Sequence, residues 1–478
     1  DGVPLPGGVV DPGASDGLRG NSDAQTVDGF VAVRYRGAPG AQGEGSWLAL
    51  SASGFRSERG VPPELHVAEP RFWRYPALRR TVVALSGGTG QRATPFGVGD
   101  LEASVGVDLG RTEIDSYGDW SYGEVVEREL GDDRTLTFRL LGDHTLGPQM
   151  DLRAALTLAE TRHDETLSER AGSGWDSVER RYRQRLWSLG AELERRLGGA
   201  GWLSGARVSL GAVVDGADTP ESGDKPPLGR LWEWGGRVGV TAAAAGGRAL
   251  VHAGASRRAR FPALRELYSG ALGRFAPNPE LRPEILAGAE AGVSSDAGAL
   301  RFQAVGFYQR LSGAIVRVAL PDRRLRRENR DELRSVGLEL LAGWAAGPLS
   351  VSAEATLQRV RLREPRAEGS AFRRPEYQPG FFGGLDVGAA LPLGARGSFA
   401  VRHVGRQWCV HPDEGRDVAL DPSTRLDLEL SRGWTLGGPG LERLEAAVAL
   451  DNATDAAAYD QCGLPQPGRT LRVQLRLR

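Results

Sequence analysis

TLRVQLRLR, residues 470–478, is apolar on one side only: Leu471, Val473, Leu475 and Leu477 share one face of an extended chain, and Arg472, Gln474, Arg476 and Arg478 share the other. Whether the apolar side meets a core, a second sheet or lipid decides the fold. The alternation recurs far from the C-terminus. In MDLRAALTLAETRH (150–163), Met150, Leu152, Ala154, Leu156 and Leu158 share a face, and Asp151, Arg153 and Thr157 lie opposite. Val351, Ala353, Ala355 and Leu357 oppose Ser352, Glu354, Thr356 and Gln358, and Leu426, Leu428 and Leu430 oppose Arg425, Asp427 and Glu429. DGFVAVRYRG (28–37), SWLALSASGFRSERG (46–60), FWRYPALRRTVVALSGG (72–88), RTLTFRLLG (134–142) and ELRSVGLELLAGW (332–344) read as further strands. SVERRYRQRLWSLGAELERRLG (177–198) also fits an amphipathic helix, and its strand neighbours assign it to a long strand. The pattern predicts about 19 strands between residues 26 and 478.

Composition narrows what such strands do. Acidic residues number 61 and basic residues 60, so no bulk charge points to nucleic acid. No run of eighteen apolar residues occurs, which excludes spanning helices but not spanning strands, because a strand crosses lipid in about 9–11 residues and turns only half of them outward. The 67 glycines have no collagen period and suit many turns. The opening DGVPLPGGVVDPGASDG is no signal segment. Six histidines, His66, His144, His163, His252, His403 and His411, show no metal-ligand spacing, and no nucleophile elbow, phosphate loop or zinc-protease motif is present. The expectation is therefore a protein that is not an enzyme, with no catalytic residue, no metal site and no intrinsic cofactor.

Short breaks alternate with long ones. APGAQGEG, GPQ, AAGP, PLG and TLGGPG are short; ERGVPPELHVAEP, Asp115 to Asp132, DGADTPESGDKPPLG, Tyr268 to Pro283, PDRRLRRENRD and REPRAEGSAFRRPEYQP are long. In an antiparallel meander this puts short turns at one end and long loops at the other, as in outer-membrane barrels. The fold expected is all-β, a large antiparallel transmembrane β-barrel. A soluble sandwich or propeller is the rival, and it lacks a repeated blade signature here.

Two stretches carry a family resemblance. ASRRARFPALRELYSGALGRFAPNPELRPE (255–284) resembles the mid-barrel signature of TonB-dependent outer-membrane receptors through Phe261, Leu264, Glu266, Leu267, Tyr268, Asn278, Pro279, Leu281, Pro283 and Glu284. LDNATDAAAYDQCGLPQPGRTLRVQLRLR (450–478) is similar to the family's last hairpin, and DGLRGNSDAQ (16–25) resembles an early external loop. The resemblance implies a 22-stranded barrel around an N-terminal plug in the outer membrane of a Gram-negative bacterium. It further implies import of a scarce bulky solute such as a ferric siderophore, haem, cobalamin or an oligosaccharide, driven by a TonB-type coupling protein. Outer-membrane lipid and lipopolysaccharide are the implied surroundings, with the protein a monomer. On strand parity, residues 1–478 are expected to be the barrel domain without the plug, the coupling box and about three first strands. Arg478 stands where the family usually ends in an aromatic residue read during insertion. A passive porin-like channel and a soluble extracellular adhesion or structural protein are the alternatives.

On this topology Cys409, at the top of the strand SFAVRHVGRQWC, and Cys462, in the final loop, both lie at the outer end, in a compartment that permits disulfides, and a bridge between them is expected. Trp47, Trp73, Trp120, Trp175, Trp187, Trp202, Trp232, Trp234, Trp344, Trp408 and Trp434 lie near strand ends, as membrane girdles or as packing. The arginine-rich stretches RFWRYPALRR, RRYRQR, RRAR and PDRRLRRENR read as salt bridges or lipopolysaccharide contacts ahead of an anion-attracting mouth. No ligand-binding residue is named from sequence.

Overall fold

The computed structural model describes residues 2–38, 45–198, 205–270, 272–322, 324–363, 372–411, 413–438 and 441–477. Nineteen long strands run in chain order: β1 (Ala24–Arg36), β2 (Trp47–Val61), β3 (Trp73–Gly88), β4 (Gly97–Tyr117), β5 (Val125–Thr145), β6 (Met150–Ala171), β7 (Gly174–Arg196), β8 (Arg207–Ser222), β9 (Leu231–Ala244) and β10 (Ala249–Arg260). They continue as β11 (Glu284–Ala297), β12 (Leu300–Ala319), β13 (Leu325–Ala346), β14 (Leu349–Arg363), β15 (Phe381–Ala390), β16 (Ala395–Val404), β17 (Ser423–Gly438), β18 (Leu441–Asp451) and β19 (Thr470–Leu477). Each pairs antiparallel with the next, and three short segments bring the sheet to 22 strand segments. The stretch 177–198, ambiguous in sequence, is strand β7 through Arg196.

The registers show what the alternation is for. Val33, Leu50, Leu85, Val105, Phe138, Leu158, Trp187, Gly216 and Trp232 are successive cross-strand partners over β1 to β9. Leu300, Trp344, Val351, Val387, Phe399, Leu428, Leu450 and Leu471 do the same over β12 to β19. One residue along, the first row becomes Arg34, Ala49, Ser86, Ser104, Arg139, Thr157, Ser188, Asp215 and Glu233. One face of the wall is thus greasy and the other wet. Gly216 interrupts the apolar row because the indole of Trp187 lies over it, where a Cβ would come within 2.2 Å of the ring.

Among the described residues no second layer covers the apolar rows: Leu158, Trp187 and Leu189 stay 44, 41 and 57 % exposed. The 261–283 connection packs instead on the opposite face, against Tyr182 and Gln184. The polar face is therefore the interior and the apolar face the exterior, which sets aside the soluble alternative. The wall also curls round. The segment leading into β1 is hydrogen-bonded to the β18–β19 connection, with the Gly7 amide donating to Asp455 (3.1 Å) and the Gly468 amide to the Pro4 carbonyl (2.8 Å). Among the described residues, no ladder joins β1 to β19.

Short turns such as 146–149, 245–248, 298–299, 347–348 and 391–394 lie at one end, and the long connections 62–72, 223–230, 261–283, 405–422 and 452–469 at the other. Two stretches read as loops in sequence are largely strand. Of Asp115 to Asp132 only residues 118–124 lie outside β4 and β5, and PDRRLRRENRD enters β13 at Leu325. The reason is visible on the exterior face of β6: Met150 to Leu158 is apolar over nine residues, and Glu160, Arg162, Asp164, Thr166, Ser168 and Arg170 then continue the same side. Above the lipid a strand needs no apolar face, so its sequence resembles a loop. Residues 39–44 of APGAQGEG, 439–440 of TLGGPG, 364–371 of REPRAEGSAFRRPEYQP, Trp202 and Arg478 lie outside the described residues.

Candidate functional site

The long-connection end is built as one rim, and its thickest part follows β10. Pro262 lacks an amide for the ladder, so the strand stops there and the chain turns inward. A one-turn helix α1 (Leu264–Leu267) forms next, with Glu266 accepting the Ala263 amide (2.9 Å) and pairing with Arg260 (2.8 Å). Arg260 also pairs with Glu284, so one guanidinium ties both ends of the connection. Burial disfavours a charge on Glu266, but Arg260 and the Ala263 amide outweigh it and hold the carboxyl below its usual range.

Between those ends the connection grips the interior wall. Leu267 and Leu281 are wholly buried, and Leu264 and Tyr182 complete their cluster. Tyr268 stacks on Tyr182 (5.4 Å between ring centres), and Tyr182 stacks on His163 (5.9 Å). The Tyr268 hydroxyl accepts the Leu228 amide (3.2 Å). Leu272 reaches Trp73 and Ile114. Asn278 donates through its amide nitrogen to the Arg327 carbonyl (2.8 Å), and its backbone N–H donates to the Leu267 carbonyl (2.9 Å). Arg265 reaches the buried Glu129 of β5 (3.4 Å). The signature Phe261 to Glu284 is thus a clasp that fixes the mouth, with its conspicuous residues spent on packing and ion pairs.

A second junction gathers the N-terminal segment and the 62–72, 405–422 and 452–469 connections. Arg19 is its hub, donating to the carbonyls of Pro63 (2.9 Å), Pro465 (3.1 Å) and Gly463 (3.3 Å). Asn21 donates to the Val61 and Trp73 carbonyls (2.8 Å each), and Arg74 pairs with Asp23 (2.6 Å). Asn452 closes the last connection by donating to the Ala456 (3.0 Å) and Pro467 (3.1 Å) carbonyls. The expected disulfide Cys409–Cys462 is present. Cys409 is not at the end of the barrel strand, however: β16 stops at Val404, and Cys409 belongs to a separate hairpin, Gln407–Val410 with Asp417–Leu420. The rings of His66 and His411 meet beside it, 5.4 Å apart. Burial and His411 hold the His66 imidazole below its ordinary pKa. Elsewhere on the rim, burial pushes the Tyr122 phenol up to about 12.

The arginine-rich stretches are largely neutralised. Arg80 pairs with Asp108, Arg183 with Glu221 (2.7 Å), Arg185 with Glu160 (2.8 Å), Arg257 with Glu233 (2.9 Å) and Arg326 with Glu328. The tryptophans divide: Trp187, Trp232 and Trp344 stand in the exterior apolar rows, whereas Trp73 is buried in the rim and Trp120 packs on Phe72. Sequence spacing missed Arg19, His66 with His411, and the stack of His163, Tyr182 and Tyr268, because their partners lie in remote strands and loops. Among the described residues no group of three or more His, Cys, Asp or Glu side chains is placed to hold a metal.

A wall apolar outside and polar inside, with turns at one end and an ordered mouth at the other, defines an outer-membrane β-barrel. The profile described as "TonB dependent receptor-like, beta-barrel" matches residues 68–453, and the chain belongs to that family. It is accordingly an outer-membrane transport receptor, energised from elsewhere and not an enzyme. Among solved structures, the copper transporter OprC is similar at a TM-score of 0.77 and 15 % identity, over 99 % of this chain and 73 % of that one. The FrpB iron transporter from Neisseria meningitidis, F5-1 variant in its apoprotein form, is similar at 0.73 and 13 % identity, over 99 % and 74 %. The ferric yersiniabactin uptake receptor FyuA from Yersinia pestis is similar at 0.65 and 15 % identity, over 100 % and 73 %. These identities establish a shared fold. No curated protein matches the sequence.

Proposed function

We propose that the solute carried by this receptor is a metal ion or its small chelate, captured at the rim and passed through the lumen. The observation that carries the reading is the mouth itself: four remote stretches are fastened by the Arg19 hub and the disulfide, and a fifth by the clasp, into a collar over a polar interior. A preorganised collar suits selective capture, since little ordering entropy is lost when a solute docks. Similar solved structures include a copper transporter, an iron transporter and a siderophore receptor, which supports a metal-bearing cargo. Haem and cobalamin fall within the same class of metal chelate.

The receptor works as a single barrel with a TonB-type partner in the family manner. Uptake of labelled iron or copper chelates by cells producing the full-length protein tests the reading. Accumulation is expected to stop when the inner-membrane coupling complex is deleted. Uptake that persists without coupling means a passive channel, and no metal-dependent accumulation in coupled cells overturns the proposed cargo class.

A further inference from the structure

At the second junction two imidazoles from connections 345 residues apart in sequence face one another: His66 lies in 62–72 and His411 in 405–422. Each has a buried Nδ1 with no hydrogen-bond partner. Buried polar atoms are nearly always paired, so two orphan nitrogens on neighbouring rings call for an explanation. We propose that His66 and His411 form a capture site at the rim for a borderline divalent ion of the copper(II) or zinc(II) type.

The ring separation suits such an ion. Two imidazoles on one tetrahedral centre, each bound at roughly 2.0–2.1 Å, hold their ring centres about 5 Å apart, against the 5.4 Å found here. Rotation about χ2, a broad torsion in histidine, selects which nitrogen of each ring faces the ion. The charge is favourable too. Asp413 and Glu64 both act on His66 with negative charge, and Asp413 anchors the site by accepting the Ala68 amide through one oxygen (3.0 Å). Imidazole donors select borderline first-row ions over magnesium or calcium, which prefer all-oxygen cages.

The surroundings hold the backbone that carries each ring in place before any ion arrives. The Leu65 amide donates to the Gly463 carbonyl (3.0 Å) next to His66, and Arg19 holds Gly463 and Pro63 from below. Gly463 has a φ of +67°, and a Cβ there would strike the His66 Nδ1, so only glycine lets the ring sit against this turn. The disulfide at Cys409 fixes the hairpin that carries His411. With only two imidazoles committed, the remaining coordination positions stay open for water or for donors of an incoming chelator, which fits capture and release better than permanent storage. By contrast, His163, Glu165 and Glu129 on the interior wall are engaged by Asp133, Arg180 and Arg265 and offer no such opening.

This site deepens the metal-cargo reading but binds or fails to bind whether or not uptake is energised. The test is titration of the purified full-length protein in detergent with copper(II) and, separately, zinc(II). Calorimetry gives the affinity, and the paramagnetic resonance of the copper form gives the number of ligating nitrogens. One equivalent with two imidazole nitrogens is expected. His66→Ala and His411→Ala each lower affinity about tenfold or more, taking the 10–100-fold cost of lost ligand support as a floor, and the double variant abolishes the site. The His252→Ala variant, on a distant strand, leaves it intact. Heat-modifiable migration of every variant shows that the barrel has formed. A double variant that binds as tightly as the parent, or a parent that binds neither ion, reduces the ring pair to an aromatic contact only and overturns the site. Loss of coupled uptake with binding intact would instead strike the transport reading.

Discussion

The wall and the mouth are held together by different forces. In the wall, Leu189 is 57 % exposed and contributes by facing lipid, while the ladder satisfies the backbone. In the mouth, Leu267 and Leu281 are wholly buried and Tyr268 nearly so, and each depends on partners from remote strands. The wall is a repeated local pattern, tolerant wherever in and out are respected. The mouth is a small conventional core that fails when one member is lost.

That contrast is sharpest at Tyr268. Tyr268→Ala removes a ring from the stack on Tyr182 and is expected to cost about 3–5 kcal/mol of local stability at the mouth. Limited proteolysis should find the outer connections newly cleavable, with the heat-modifiable migration of the barrel unchanged. Equal loosening of wall and mouth would erase the distinction.

Next in size is a charge placed on the lipid side. Leu189→Arg is expected to cost about 2–4 kcal/mol in reversible unfolding from bilayers, while Ser188→Arg, one residue along and facing the lumen, costs well under half of that. Equal costs would mean that the two faces have been misassigned. Gly216→Val is smaller: its side chain must displace the Trp187 indole, at about 1–3 kcal/mol, and the same unfolding experiment measures it together with a blue shift or quenching of tryptophan emission.

The smallest effect is a pH dependence of the clasp. The Glu266 carboxyl is held below its ordinary value of 4.5 in the folded protein, so its contribution is complete above that value and is lost as pH falls through the depressed one. Protease access to 261–283 should rise as the pH falls below the ordinary carboxylate value, and Glu266→Gln should flatten that rise.

Alternation written residue by residue made the wall legible. Leu471, Val473 and Leu475 already stated the side, and the short turns stated the direction. The strand ends were harder, since beyond Leu158 the exterior residues of β6 become Glu160, Arg162 and Asp164, and polarity on both faces reads as loop. The family signature was readable, but its physical task as a clasp was not: nothing local says that Leu281 packs with Tyr182 or that Arg260 holds Glu266 and Glu284 together. His66 and His411 are the extreme case, adjacent only because three connections converge.

The length of β6 and β7 has an effect on how cargo arrives. At about 3.3 Å per residue and a tilt near 40°, 22 or 23 residues rise about 55 Å along the membrane normal, roughly twice the ~25 Å apolar band. On β6 the surplus lies beyond Leu158, on the side of the rim, so this flank stands like a chimney through the sugar layer of the outer leaflet. A dilute solute would then meet the opening from bulk water, without first working its way down through a carbohydrate brush.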